Sequence, residues 1–225
     1  MATHLREEVS AEVAADTCAA IASALASDPV TQPLAPLWEK LTDKGDALAA
    51  ERRSLERATQ RARAILAVAD AIWDTDVAAC GRDLFDQSSG RRDAVPYTRF
   101  FVGTSPSQVQ DFGIDREVAQ GRLWIKELGR DPAEALAVKW TPRFTTTTDA
   151  LETASKDRVE RLSALAIHGT SEVLYVEAIN LELDRLEGDL KKLFPGQPDR
   201  VASFLASTKP RRKKGKDDDD TAGGL

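Results

Sequence analysis

Apolar residues recur at seven-residue spacing between Leu151 and Phe194. One row consists of Leu162, Gly169, Val176, Leu183 and Leu190. A second row follows three residues behind it and consists of Leu165, Glu172, Ile179, Leu186 and Leu193. Alternating steps of three and four residues keep one stripe of a helix turned toward a neighbour, which is the coiled-coil pattern. No proline interrupts residues 144–194, so the pattern predicts one long helix over 146–194.

The same spacing occurs earlier in the chain and predicts a second long helix over residues 34–85. Its first row is Leu34, Leu41, Leu48, Leu55, Ala62 and Ala69. Its companion row is Leu37, Lys44, Glu51, Ala58, Ile65, Ile72 and Ala79. Gly45 disfavours helix and is interpreted as a bend. Because neither stripe can be buried alone, we expect the two long helices to pair antiparallel, as a coiled-coil-like hairpin.

Shorter apolar patterns fill the rest of the chain. They predict three further helices, at about residues 5–27, 106–129 and 132–140. Pro142 is expected to end the last of these, and Thr145–Thr148 to cap the helix that follows. The predicted fold class is therefore all-α: an elongated antiparallel helical bundle over residues 1–208, followed by a disordered charged tail over 209–225.

The helical pattern fails between Gln87 and Ser107, where glycines, prolines and serines are frequent. Three aromatic residues, Tyr97, Phe100 and Phe101, lie within this stretch. We interpret it as a loop that tucks aromatic side chains against the bundle, with a brief extended segment at residues 100–102. The loop over 94–106 is the predicted docking surface. The seam residues predicted to take part in protein interaction are Leu41, Leu48 and Leu55.

Charge is unevenly distributed along the chain. The formal net charge is −6, yet residues 209–216 carry six lysines or arginines and residues 217–220 carry four aspartates. An acidic remainder argues against a nucleic-acid surface spread over the fold. Weak binding through the basic part of the tail stays open, although the adjacent aspartates neutralise most of its field.

Few residues carry the chemistry of catalysis or metal binding. The two cysteines, Cys18 and Cys80, form no CxxC motif, and the two histidines, His4 and His168, add no metal-ligand spacing. No glycine-rich phosphate loop precedes a lysine. We therefore predict no catalytic residue, no cofactor and no metal. No stretch is apolar enough to span a membrane, so a cytoplasmic location is expected.

His168 and Glu172 lie one helical turn apart, within hydrogen-bonding or shared ligand range. A structural or solvent-exposed role for His168 is the simpler interpretation, with Glu172 either fixing the register of the seam or lying at its edge. Together these observations predict a non-catalytic scaffold or assembly protein that binds a protein partner or itself. One alternative is a ligand- or metal-binding helical enzyme with a pocket near Trp124, Trp140 and His168. Another is a membrane-active helical protein.

Overall fold

The structure is a computed structural model that describes residues 3–131 and 134–208. This part of the chain contains α-helices and short 3-10 turns but no strand. The helices are α1 (Ala11–Ala26), α2 (Ala35–Gln87), α3 (Tyr97–Phe100), α4 (Pro106–Gln110), α5 (Ile114–Leu128), α6 (Ala135–Leu193) and α7 (Pro198–Phe204). The predicted all-α class with two long helices is confirmed. The tail predicted over 209–225 lies outside the described residues.

Contacts divide the chain into two compact units, so the single domain predicted over residues 1–208 contains both. Unit 1 comprises the residues up to Arg52 together with those from His168 on. Unit 2 comprises residues 53–167. Helices α2 and α6 each contribute one segment to either unit, and they pack together in both.

The two long helices run antiparallel within each unit. In unit 1 the Tyr175 hydroxyl donates to the carbonyl oxygen of Leu41 at 2.7 Å. In unit 2 the indole of Trp73 donates to Thr148 Oγ1 at 3.3 Å. Farther along α2 in unit 2, Asp83 pairs with Lys139, so residue numbers rise on one helix as they fall on the other.

The core of unit 1 is built by α1 against the two long helices and α7. Ser10 caps α1 by accepting a hydrogen bond from the Val13 amide, so the helix begins later than the predicted residue 5. Leu5 precedes the helix, and its backbone exchanges two hydrogen bonds with the Asn180 side chain, at 2.8 and 2.9 Å. The buried members contributed by α1 are Ala11, Ala14, Ala15, Cys18, Ile21, Ala22 and Leu25.

An aromatic cluster forms the core of unit 2. Trp124 lies at its centre, stacked on Trp73 at 6.0 Å and packed against Phe101 and Phe144 at 5.2 Å between ring centroids. Aromatic pairs in such stacked and edge-to-face arrangements contribute beyond the area that they bury. These contacts hold α2, α5 and α6 together with the segment before α4.

The predicted break at Pro142 is wrong, because α6 continues through it as one helix. Proline removes one backbone donor and costs about 3 kcal/mol in a helix interior. Two residues beside it, Trp140 and Phe144, are fully buried, so their packing offsets that cost. Thr145 is therefore not a cap, and its hydroxyl donates back to the Thr141 carbonyl at 2.7 Å inside the helix.

The helix predicted over 106–129 is two helices rather than one. Ser105 caps α4 in a capping box with Gln108, which agrees with the predicted start. Gly113 is the first residue before α5 and separates it from α4. Farther on, Gly121 lies directly against Thr148 on α6, where a side chain at this position would collide.

Candidate interaction surface

A stripe of large aliphatic side chains on α2 faces away from the core of unit 2. Ile65, Val68 and Ile72 are 58%, 60% and 51% exposed. Their three- and four-residue spacing places them on one face of the helix. Ala64 and Ala71 flank them and are also exposed. Single exposed apolar residues are ordinary, but a contiguous patch marks an interaction site. We call these five residues the α2 stripe.

The stripe arises because α2 keeps the ordinary helical period in unit 2. Its buried apolar positions are Leu66, Ala69, Trp73, Val77, Cys80 and Leu84. They advance by 3.6 residues on average, whereas a strict seven-residue row drifts about 20° per heptad on such a helix. The predicted seam row through Ile65 and Ile72 is therefore turned to the outside here, and the prediction that it is buried is wrong.

Opposite charges lie beyond the two ends of the stripe. Arg57 is eleven residues before Val68 and Asp86 is eighteen residues after it. Those separations are close to three and five whole helical turns, so both residues lie on the same face of α2 as the stripe. Both residues are exposed, and no ion pair joins either to another described residue. The surface is thus basic at one end and acidic at the other.

The predicted interaction residues of the seam are only partly accessible. Leu41 and Leu48 are half-buried and pack against the core of unit 1. Leu55 is half-buried in unit 2. Their role in binding a partner stays a prediction.

The aromatic residues between α2 and α4 are in the core. Tyr97, Phe100 and Phe101 are each 5% exposed or less. Residues 97–100 form the short helix α3, so the extended segment predicted at 100–102 is not formed. The three rings are therefore not accessible to a protein partner. The predicted docking role of residues 94–106 stays a prediction that would have to use other atoms of this segment.

The tryptophans of the predicted ligand pocket already use their polar edges. Trp124 Nε1 donates to the Phe100 carbonyl at 3.1 Å, and Trp140 Nε1 donates to Asp83 at 3.0 Å. Both indoles are fully buried in unit 2, whereas His168 belongs to unit 1. Neither indole N–H is therefore available to a ligand, and the predicted pocket near these residues stays a prediction.

His168 and Glu172 form a buried polar pair on α6. His168 Nδ1 lies 3.6 Å from Glu51, and its Nε2 lies 4.0 Å from Glu172, which also pairs with Arg52. His168 Nε2 and Glu172 Oε1 have no hydrogen-bond partner among the described residues. The carboxylates approach opposite edges of the ring, so they do not converge on one ion. No cluster in the described chain is arranged to hold a metal.

A second buried polar group was not anticipated from the sequence. Glu117 on α5 is 1% exposed and hydrogen bonds to Asp70 on α2. Burial, that hydrogen bond and the nearby charges of Asp70 and Asp74 raise the pKa of Glu117 from 4.5 to about 8. Burial and the charges of Asp70 and Asp111 likewise raise the pKa of Asp74. A pKa of about 8 favours the protonated form of Glu117 at neutral pH, and its Oε2 has no hydrogen-bond partner among the described residues.

Replacing Glu117 with glutamine is expected to stabilise unit 2 only at high pH. Because the folded pKa lies above the unfolded one, the stability that protonated Glu117 contributes is complete below about pH 4.5 and is lost as pH rises through about 8. Glutamine keeps the donor at every pH. We expect Glu117→Gln to gain about 1–2 kcal/mol in the free energy of unfolding at pH 9 and little at pH 5.

Urea denaturation at the two pH values measures this difference. Glu160→Gln, at an exposed position on α6 in the same unit, serves as the control and should give the same stability change at both pH values. An equal effect of Glu117→Gln at pH 5 and pH 9 would contradict the assignment.

Comparison with known proteins gives no match: no family model matches the chain, and neither do the curated proteins or the solved structures. Among the described residues, no helix has the length and apolar character needed to cross a bilayer.

Proposed function

We propose that this chain is a non-catalytic structural protein that self-assembles through the α2 stripe, the partner being a second copy of the chain. The observation that carries the proposal is the continuous exposure of Ile65, Val68 and Ile72 on one helical face. Covering such a face removes aliphatic surface from water, which is the main favourable contribution to association.

The stripe is self-complementary when two copies of α2 run antiparallel. A coiled-coil seam has two kinds of core position, a and d. When two helices run antiparallel, an a position of one helix faces a d position of the other. Val68 of each copy then packs against Ile72 of the other, in two layers related by a two-fold axis. Ala64 and Ala71 are small, so the two helices can approach closely along that flank.

The charges beyond the stripe agree with the same alignment. With the two-fold axis near residue 70, Arg57 of one copy lies within about one helical turn of Asp86 of the other. A parallel alignment would instead place like charges side by side, Arg57 on Arg57 and Asp86 on Asp86. Exposed pairs add little affinity, but like-charge contact disfavours the wrong alignment.

Sedimentation equilibrium of Val68→Asp tests the proposal. We expect the unmodified chain to form a dimer and the variant to dissociate at least a hundredfold more readily, because two aspartates would be buried against isoleucines. Val68 is exposed within one chain, so the fold should be retained. Leu123→Asp on α5 is the matched control, since Leu123 is also 60% exposed.

Charge exchange tests the alignment separately. Arg57→Glu should weaken the dimer, and adding Asp86→Arg in the same chain should restore it. A monomer at about 100 μM, or a dimer that tolerates Val68→Asp, would refute self-assembly through the stripe. A dimer that is lost with Val68→Asp but ignores both charge changes would refute the antiparallel alignment.

A cytoplasmic location is part of the same proposal and is supported by the cysteines. Cys18 is buried in unit 1 and Cys80 in unit 2, each as a free thiol. Burial raises the pKa of Cys18 to about 11, which keeps the thiol protonated and unreactive. Two separately buried free thiols suit a reducing compartment.

A further inference from the structure

Unit 2 contains a cavity whose charge is entirely positive. Its volume is about 410 Å3, within the usual range for small-molecule sites. It lies where α2 meets the segment before α4 and the first turn of α4. The residues that line it are Ala78, Gly81, Arg82, Phe85, Arg92, Tyr97, Ser105, Pro106, Ser107 and Gln110. None of these is acidic.

The two arginines of the cavity have no carboxylate partner among the described residues. The acid nearest to Arg92 in sequence, Asp93, is held by Arg91 through two hydrogen bonds of 3.2 and 2.9 Å. The Arg92 guanidinium lies 5.9 Å from the centre of the Phe85 ring. Arg82 is exposed on α2, three residues before Phe85. Two guanidinium groups at one cavity provide paired donors that suit a carboxylate or sulfonate.

A hydroxyl group completes the polar side of the cavity. Ser105 Oγ accepts from the Gln108 amide at 3.3 Å and lies 2.9 Å from Ser107 Oγ. One O–H is used between the two serines, which leaves the other free to donate to a ligand. An anion held by the arginines would accept that hydrogen bond.

The floor of the cavity is apolar. Pro106 lies so close to Gly81 that a Cβ at position 81 would be only 3.2 Å from Pro106 Cβ, so the absence of a side chain lets α4 start directly on α2. Phe85 and Tyr97 meet nearby in an edge-to-face contact with 6.4 Å between their ring centroids. Such a floor favours an aromatic or aliphatic body over a fully hydrated ion.

We propose that this cavity binds a small organic anion, in which a carboxylate or sulfonate group is attached to an aromatic or aliphatic body. The anionic group lies between Arg82 and Arg92, and the apolar body lies on Phe85 and Pro106, which are both partly exposed. The proposal uses no residue of the α2 stripe and is independent of self-assembly.

Isothermal titration with 1-naphthoate and its neutral counterpart 1-naphthalenemethanol tests the proposal on the full chain. We expect 1-naphthoate to bind one site per chain at least tenfold more tightly than the alcohol. Arg82→Gln and Arg92→Gln should each weaken binding of the anion about tenfold, and leave binding of the alcohol unchanged. Arg63→Gln is the matched control, since Arg63 is exposed on α2 but does not line the cavity.

Two further measurements fix where the probe binds. Raising the salt concentration should weaken binding of 1-naphthoate but not of the alcohol, because the attraction is electrostatic. In Val68→Asp the affinity for 1-naphthoate should be unchanged. Equal affinity for the two probes, insensitivity to both cavity arginines, or loss of binding in Val68→Asp would each overturn the proposal.

Discussion

Replacing Trp124 with alanine is expected to destabilise unit 2 by about 3–5 kcal/mol. The indole is 2% exposed and contacts rings from three other segments of the chain. Its removal leaves a cavity that the rigid aromatic neighbours cannot close. The carbonyl of Phe100 also loses its indole donor, so a buried acceptor is left without a partner.

Urea denaturation followed by near-ultraviolet circular dichroism measures this loss. Leu123→Ala is the natural control, because Leu123 is the preceding residue of α5 but faces solvent. It should change the free energy of unfolding by no more than about 0.5 kcal/mol. A loss below about 1 kcal/mol for Trp124→Ala would mean that the aromatic cluster does not hold unit 2 together.

Replacing Gly45 with alanine is expected to destabilise unit 1 by about 2–3 kcal/mol, although alanine is the better helix former. A Cβ at position 45 would lie 2.7 Å from the Cβ of Ala15 and 2.8 Å from Cζ of Tyr175. The Tyr175 hydroxyl reaches the Leu41 carbonyl, the acceptor for the Gly45 amide in a regular helix, because no side chain stands in the way. The added methyl group displaces α1 or the tyrosine.

Gly188→Ala provides the matched control within the same unit. Gly188 is also inside a long helix, but a Cβ there meets nothing within 4 Å. The same substitution should therefore stabilise the chain by about 0.5–1 kcal/mol. Thermal unfolding of the two variants should give shifts of opposite sign, and a positive shift for Gly45→Ala would contradict the close contact.

The heptad rows predicted the two long helices because their apolar spacing is regular over many turns. The errors lie where a local signal was overruled by packing. Pro142 normally ends a helix, but the burial of Trp140 and Phe144 on either side keeps α6 continuous. At Gly45 the predicted bend stays a prediction, and α2 continues through this residue and uses the missing side chain to admit Tyr175.

The candidate surface was only half visible in the sequence. The sequence shows Ile65 and Ile72 as members of one row, but seven-residue spacing does not distinguish a row that faces the core from one that faces solvent on the same helix. Val68, three residues after Ile65, was the available signal for an apolar stripe.

The buried carboxyl cluster and the cavity arginines left no comparable signal. Glu117 lies more than forty residues from Asp70 and Asp74 in sequence, and the fold alone brings them together. Arg82 lies on α2, whereas Arg92 lies in the non-helical segment that follows α2. Both line the same cavity only because α4 packs on α2 at Gly81.

The distribution of the two cysteines gives the chain an internal reporter for each unit. Cys18 is inaccessible in one core and Cys80 in the other, so a thiol reagent modifies each only when its own surroundings open. Modification rates in the native state, resolved by mass spectrometry of the two peptides, therefore yield separate opening free energies for the two halves of the molecule. Equal values would mean that one cooperative event opens both cores, and unequal values would identify the half that opens first.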